Sequence, residues 1–150
     1  MYSAGVVEAV GSLLTQRLGI RFQDEPSLDR LSRALDQPTR RSYTGSNGDI
    51  FLHYETTEET GEYLLIKRGD RNIEIEEGCL RISDPNVRGF LSGFLFVEGE
   101  GLQRQLREAA DGYADRIRKG EHIEKIDIQL KLDYLEADQV VDFLPELIFR

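Results

Sequence analysis

A single cysteine, Cys79, stands among 150 residues. That excludes an intramolecular disulfide framework and any cysteine-rich zinc site. A lone thiol suits a reducing compartment or a buried small hydrophobe. Histidine is also scarce: His53 and His122 are the two in the chain. No His-Glu-x-x-His, P-loop, Gly-x-Ser-x-Gly or dinucleotide fingerprint occurs. No apolar run approaches the ~20 residues of a membrane span; the longest, Gly89 to Val97, is far shorter. The N-terminal residues lack the positive region of a secretory signal, and Glu8 and Gln16 interrupt the apolar stretch. The expectation is a soluble, cytoplasmic protein with no membrane contact.

What is present is the composition of an ordinary globular domain, 39% hydrophobic and 31% charged. A chain of this length buries roughly 68–70% of its unfolded surface and needs no covalent staple. The net charge of -9 is unevenly spread. Residues 1–54 balance Arg17, Arg21, Arg30, Arg33, Arg40 and Arg41 against Glu8, Asp24, Glu25, Asp29, Asp36 and Asp49. The excess negative charge therefore lies beyond residue 54, and nucleic acid is disfavoured as a partner because phosphate binding rests on Lys and Arg.

Periodicity places the elements. Val6, Val7, Val10, Leu13, Leu14 and Leu18 predict a helix over 4–18, ended by Gly19. Leu28, Leu31 and Leu35 predict a shorter one from Pro26 to Asp36. The period then becomes two. The runs 50–54, 63–67, 73–76 and 80–82 are too closely spaced for crossovers and read as an antiparallel meander of about four strands. The cluster Gly45-Ser46-Asn47-Gly48 reads as the turn before it. Tyr63 to Lys67 is apolar on both faces and belongs centrally in the sheet. Asp84-Pro85 reads as a helix start, and a second helix spans Leu102 to about Lys119. Ile126, Ile128, Leu130 and Leu132 alternate with Asp127, Gln129 and Lys131, the clearest strand, with one face dry and one wet. A last helix runs from about Glu136 to Leu144, ended by Pro145. The fold class is α+β in one domain over 1–150, with helices on one face of a mostly antiparallel sheet.

Candidate chemistry is sparse. His53, mid-strand, and His122, in a polar connection, need a converging carboxylate to act as a general base, and neither is expected to be essential. The neighbours of Cys79 are acidic, which raises a thiol pKa and favours a packing role. Glu55, Glu58, Glu59 and Glu62 cluster between two strands and suit a basic partner or a solvated hairpin tip; the spacing is not that of an EF-hand loop. Glu108, Asp111 and Asp115 share a helix side with Arg104 and Arg107, a solvated face of ion pairs. Phe90, Phe94 and Phe96 belong to a segment apolar nearly all round, with Gly89 and Gly93 four apart. Such a segment is the buried centre of the fold or is covered by another molecule.

These features favour a non-catalytic protein-binding module: an adaptor, an assembly factor or chaperone, or an immunity-type inhibitor. The partner would be another protein or a second copy, meeting Phe90, Phe94 and Phe96 or the acidic stretch. No cofactor or metal is expected, and no catalytic set can be named. The alternatives are a small hydrolase or isomerase using His53 or His122 with a carboxylate, and a small-ligand sensor with its ligand between the sheet and the Phe-rich helix.

Overall fold

From residue 50 to residue 82 apolar residues recur at every second position of each run, and the chain reverses at Gly48, Gly61, Gly69 and Gly78, all with positive φ. Glycine adopts that left-handed conformation without a Cβ clash. The strands that result are β2 (Arg40–Asn47), β3 (Ile50–Thr57), β4 (Gly61–Arg68), β5 (Arg71–Glu76) and β6 (Cys79–Asp84). A two-residue β1 (Arg21–Phe22) flanks β2, and β7 (Ile126–Lys131) lies beside β6. All pairs are antiparallel, and spatial order follows chain order across seven strands. The helices are α1 (Ala4–Leu18), α2 (Val87–Phe94), α3 (Leu102–Arg118) and α4 (Ala137–Phe149). This computed structural model describes residues 4–22, 40–57, 59, 61–133 and 135–150. The helix expected over 26–36 lies outside them, as do Glu58 and Tyr134.

The expected α+β architecture forms, with a longer meander than the four runs suggested. β2 occupies the segment read as a turn cluster. Its outward residues Ser42, Thr44 and Ser46 are polar, and its inward Tyr43 and Gly45 carry too little apolar signal. The turn itself is Gly48-Asp49.

The core lies on one side of the sheet. Ile50, Leu52 and Tyr54, then Leu64 and Ile66, Ile73 and Ile75, Leu80 and Ile82, and Ile126, Ile128 and Leu130 point into it. Val10 and Leu14 of α1, Phe90 and Phe94 of α2, Leu106 of α3, and Val140, Leu144 and Leu147 of α4 close it from above. Each fully buried Leu or Ile contributes about 1.5–3 kcal/mol over an exposed one. α1 packs on β4 at Gly11, where a Cβ would make an ordinary 3.6 Å contact with Leu64. β7 alternates as its sequence says, with Asp127, Gln129 and Lys131 exposed.

Two helix boundaries differ from expectation. α2 is capped by Asn86, whose side chain accepts the Gly89 N–H at 3.0 Å. Asp84 instead ends β6, where its carboxylate accepts the Asn86 N–H at 2.9 Å and takes Arg71 Nε–H at 2.8 Å. The buried arginine outcompetes a helix cap for that carboxylate. α4 does not stop at Pro145 but runs through it to Phe149. A proline in a helix interior costs about 3 kcal/mol, offset here by the burial of Val140, Val141, Phe143, Leu144, Leu147 and Ile148. The β4–β5 hairpin then holds the helix end: Arg71 donates to the Leu147 carbonyl at 2.6 Å and Arg68 to the Ile148 carbonyl at 2.8 Å. Cations at a helix C-terminus satisfy its free carbonyls and its dipole.

Candidate functional site

Residues that alternate with the core positions face the other way. The four described helices send most of their apolar residues into the core built on the inward strand positions, so the outer side of the sheet carries no described helix. Register arranges that side in rows. His53 lies opposite Leu65, Leu65 opposite Glu74, and Glu74 opposite Arg81. In the next row Glu55 lies opposite Tyr63, and Cys79 lies between Glu76 and Lys131. Phe51, Tyr63 and Leu65 are half-buried there.

The β3–β5 part of this face is acidic around an aromatic. The Tyr63 phenol is pushed up to about 12, first by burial and then by Glu74, Glu76 and Glu55. Each carboxylate disfavours a second negative charge beside it. Unfolded tyrosine ionises near pH 10, so the native state holds this proton where the unfolded state has lost it. Stability from this group is complete below pH 10 and is lost as pH rises toward 12. Ultraviolet titration of Glu74→Gln/Glu76→Gln should show one phenol ionising at lower pH than in the wild type; an unchanged curve contradicts the assigned surroundings. The Cys79 thiol is also raised, by burial first and then by Glu76, as its acidic neighbours suggested.

The candidate residues separate. Phe90 and Phe94 are fully buried and lie under the Arg71 guanidinium, whose carbon is 5.8 Å and 5.5 Å from the two ring centroids. Phe96, 78% exposed, is the one ring of the three with surface to offer. Gly89 does permit close approach, but from within the chain, and at Gly93 a Cβ would make only ordinary contact. The Asn86 side chain fills the space at Gly89, and Arg150 packs on Gly93 and donates to its carbonyl at 3.1 Å. Glu55 lies on the outer face and Glu59 is exposed at the turn. Glu62, 8% exposed, points inward and accepts from the Tyr54 hydroxyl at 3.1 Å. Glu55, Glu59 and Glu62 therefore do not form one tip, because β3 and β4 extend into the expected loop and alternate their side chains. Glu108, Asp111 and Asp115 pair with Arg104, Arg107, Arg118 and Lys119 on an exposed helix face.

The two histidines are not brought together. His53 sits on β3, with Nδ1 3.0 Å from the Thr44 hydroxyl and Nε2 3.5 Å from the Glu55 carboxylate. His122 is exposed in the connection leading to β7, and β3 and β7 are four strand spacings apart, ~19 Å. Between the sheet and α2 the Phe90 and Phe94 side chains are fully buried. An apolar cavity of about 310 Å³ lies elsewhere, between Val6, Val7 and Val10 of α1 and the ends of β5 and β7.

Periodicity alone does not single out Tyr63, Leu65, Glu74 and Glu76 as a surface. The signal is nonetheless present: a strand apolar on both faces needs cover on both, and the described helices lie on one. Comparison of the chain with protein-family models, curated proteins and solved structures finds no match, so function is read from the residues themselves.

Proposed function

We propose that this chain is a non-catalytic protein-binding module, an adaptor, assembly factor or immunity-type inhibitor, and that its partner docks on the outer face of the sheet. The observation that carries the reading is the apolar set Phe51, Tyr63 and Leu65, on a face with no described helix, among Glu55, Glu74 and Glu76. Aromatic side chains anchor interfaces, and a carboxylate surround selects and steers a partner of opposite charge. The partner chemistry that fits is an apolar segment flanked by Lys or Arg.

A synthetic peptide alternating leucine and lysine is the probe. Glu74→Lys/Glu76→Lys should weaken its binding by at least about tenfold, or ~1.4 kcal/mol. The same reversal at Glu98 and Glu100, beside Phe96, should leave binding unchanged. Equal losses in both variants would place the site on net charge rather than on this face, and the reading would fail.

A second reading has one specific observation behind it. The order Thr44 hydroxyl, His53 imidazole, Glu55 carboxylate is that of a nucleophile, its base and the group that orients the base. It ranks second because the string lies across flat sheet, where backbone N–H groups serve the β2–β3 and β3–β4 ladders and are not free to bind an oxyanion. Ester hydrolysis lost in His53→Ala and Thr44→Val would promote it.

A further inference from the structure

A strand at the edge of a sheet turns a row of N–H and C=O groups outward, ready for another strand. β6 satisfies β7 on one side, and α3 lies along the other. α3 meets that edge with two side chains that substitute for a strand. The Gln105 amide donates to the Lys131 carbonyl at 3.0 Å and accepts the Lys131 N–H at 2.8 Å. The Tyr113 hydroxyl donates to the Asp127 carbonyl at 2.8 Å and accepts the Asp127 N–H at 3.0 Å. Geometry sets this spacing: eight residues of helix rise ~12 Å and four residues of strand ~13 Å. Gln129 stands midway between these two contacts on β7, and neither Gln105 nor Tyr113 serves its outward groups.

The guard is weakly seated. α3 buries Leu102, Leu106 and Ala110, and from Asp111 to Arg118 only Tyr113 and Ala114 are even half-buried. Gly101 and Gly120, both with positive φ, bracket the helix.

The strand behind it is complementary to itself. Two copies of β7 laid antiparallel about Gln129 bring Asp127 of each opposite Lys131 of the other, twice. Gln129 meets Gln129, and on the apolar side Ile128 meets Leu130. Opposite charges directly across a strand pair stabilise it. The pairing also gives backbone partners to the outward groups of all three residues, where α3 serves two. It is isologous, so it closes as a dimer and does not propagate. We propose that β7 is a self-association edge held back by α3: when the Tyr113 end of α3 lifts, a second copy replaces Gln105 and Tyr113, and two sheets join through β7. This surface is separate from the outer sheet face and stands or falls apart from it.

Gln105→Ala/Tyr113→Phe removes both substitutes while keeping Leu102, Leu106 and Ala110. Sedimentation should show this variant dimerising at least tenfold more tightly than the wild type. On that background Asp127→Lys alone and Lys131→Asp alone each set like charges opposite one another, and each should sediment as a monomer. Mixed one to one they should dimerise, because a carboxylate then faces an ammonium at both positions. A folded Gln105→Ala/Tyr113→Phe protein that stays monomeric overturns the proposal, as does a dimer indifferent to the charge variants. Amide exchange in the wild type gives a reading that needs no variant: the Gln129 N–H should slow as protein concentration rises. A rate independent of concentration overturns it.

Discussion

Asp84→Ala is expected to destabilise the protein by about 3–5 kcal/mol, the loss typical when one partner of a buried ion pair is removed. The Asp84 and Arg71 side chains are 4% and 12% exposed, with Nε and Oδ2 2.8 Å apart. Removing the carboxylate strands a guanidinium over the Phe90 and Phe94 rings and frees the Asn86 N–H at the start of α2. Asp84→Asn keeps an acceptor for that N–H and should lose less. Arg71→Met/Asp84→Leu should lose less than the sum of the two single changes, because neither charge is then left alone. It also releases the Leu147 carbonyl that Arg71 holds, so some loss remains. Urea melts of these five variants, the two single changes included, check the order. A loss below 1 kcal/mol for Asp84→Ala contradicts the view that this pair ties the β4–β5 hairpin, β6 and α4 together.

Phe94→Ala should cost about 3–5 kcal/mol of folding stability, as large-to-small changes in a packed core do, and should leave association of the folded protein unchanged. Phe94 is fully buried, its ring centroid 4.9 Å from that of Phe90. Phe96→Ala, two residues on and exposed, should move stability by no more than about 0.5 kcal/mol. Denaturant melts beside sedimentation separate the two rings. A Phe94→Ala protein of normal stability that no longer associates would return this segment to an interface.

How far the sequence revealed the fold depends on whether one signal acted alone at each position. β7 was plain because every second residue is apolar and nothing interrupts the alternation. α1 was plain for the corresponding reason at helical spacing. β2 was hidden because its inward positions are Tyr43 and Gly45, and glycine reads as a turn wherever it falls. α4 was cut short at Pro145 because local propensity says stop; tertiary burial and the two arginines from β4 and β5, distant in sequence, carry the helix on. Asp84 shows the same limit, a helix cap by its neighbours and an ion-pair partner by its fold.

The candidate site was partly visible. Glu55 was singled out, but as part of a loop; Glu62 was assigned to the same loop, although alternation on β4 sends it inward. The two apolar faces of β4 point to a central place in the sheet, which it holds between β3 and β5. Whether helices cover one face or two is a tertiary fact that periodicity does not carry. The Phe-rich segment was recognised as unusual for the right reason, an all-round apolar surface. Its polar cover comes from Arg71 and Arg150, which no local pattern connects to it.

The central claim is that the outer sheet face docks an apolar segment flanked by positive charge. Amide chemical-shift mapping with the leucine–lysine peptide tests it most directly. Saturable shifts concentrated on Phe51, Glu55, Tyr63, Leu65, Glu74 and Glu76, with Val140 and Leu144 of α4 unmoved, are the expected result. Shifts centred on α1 and α4, or around Phe96, would contradict it.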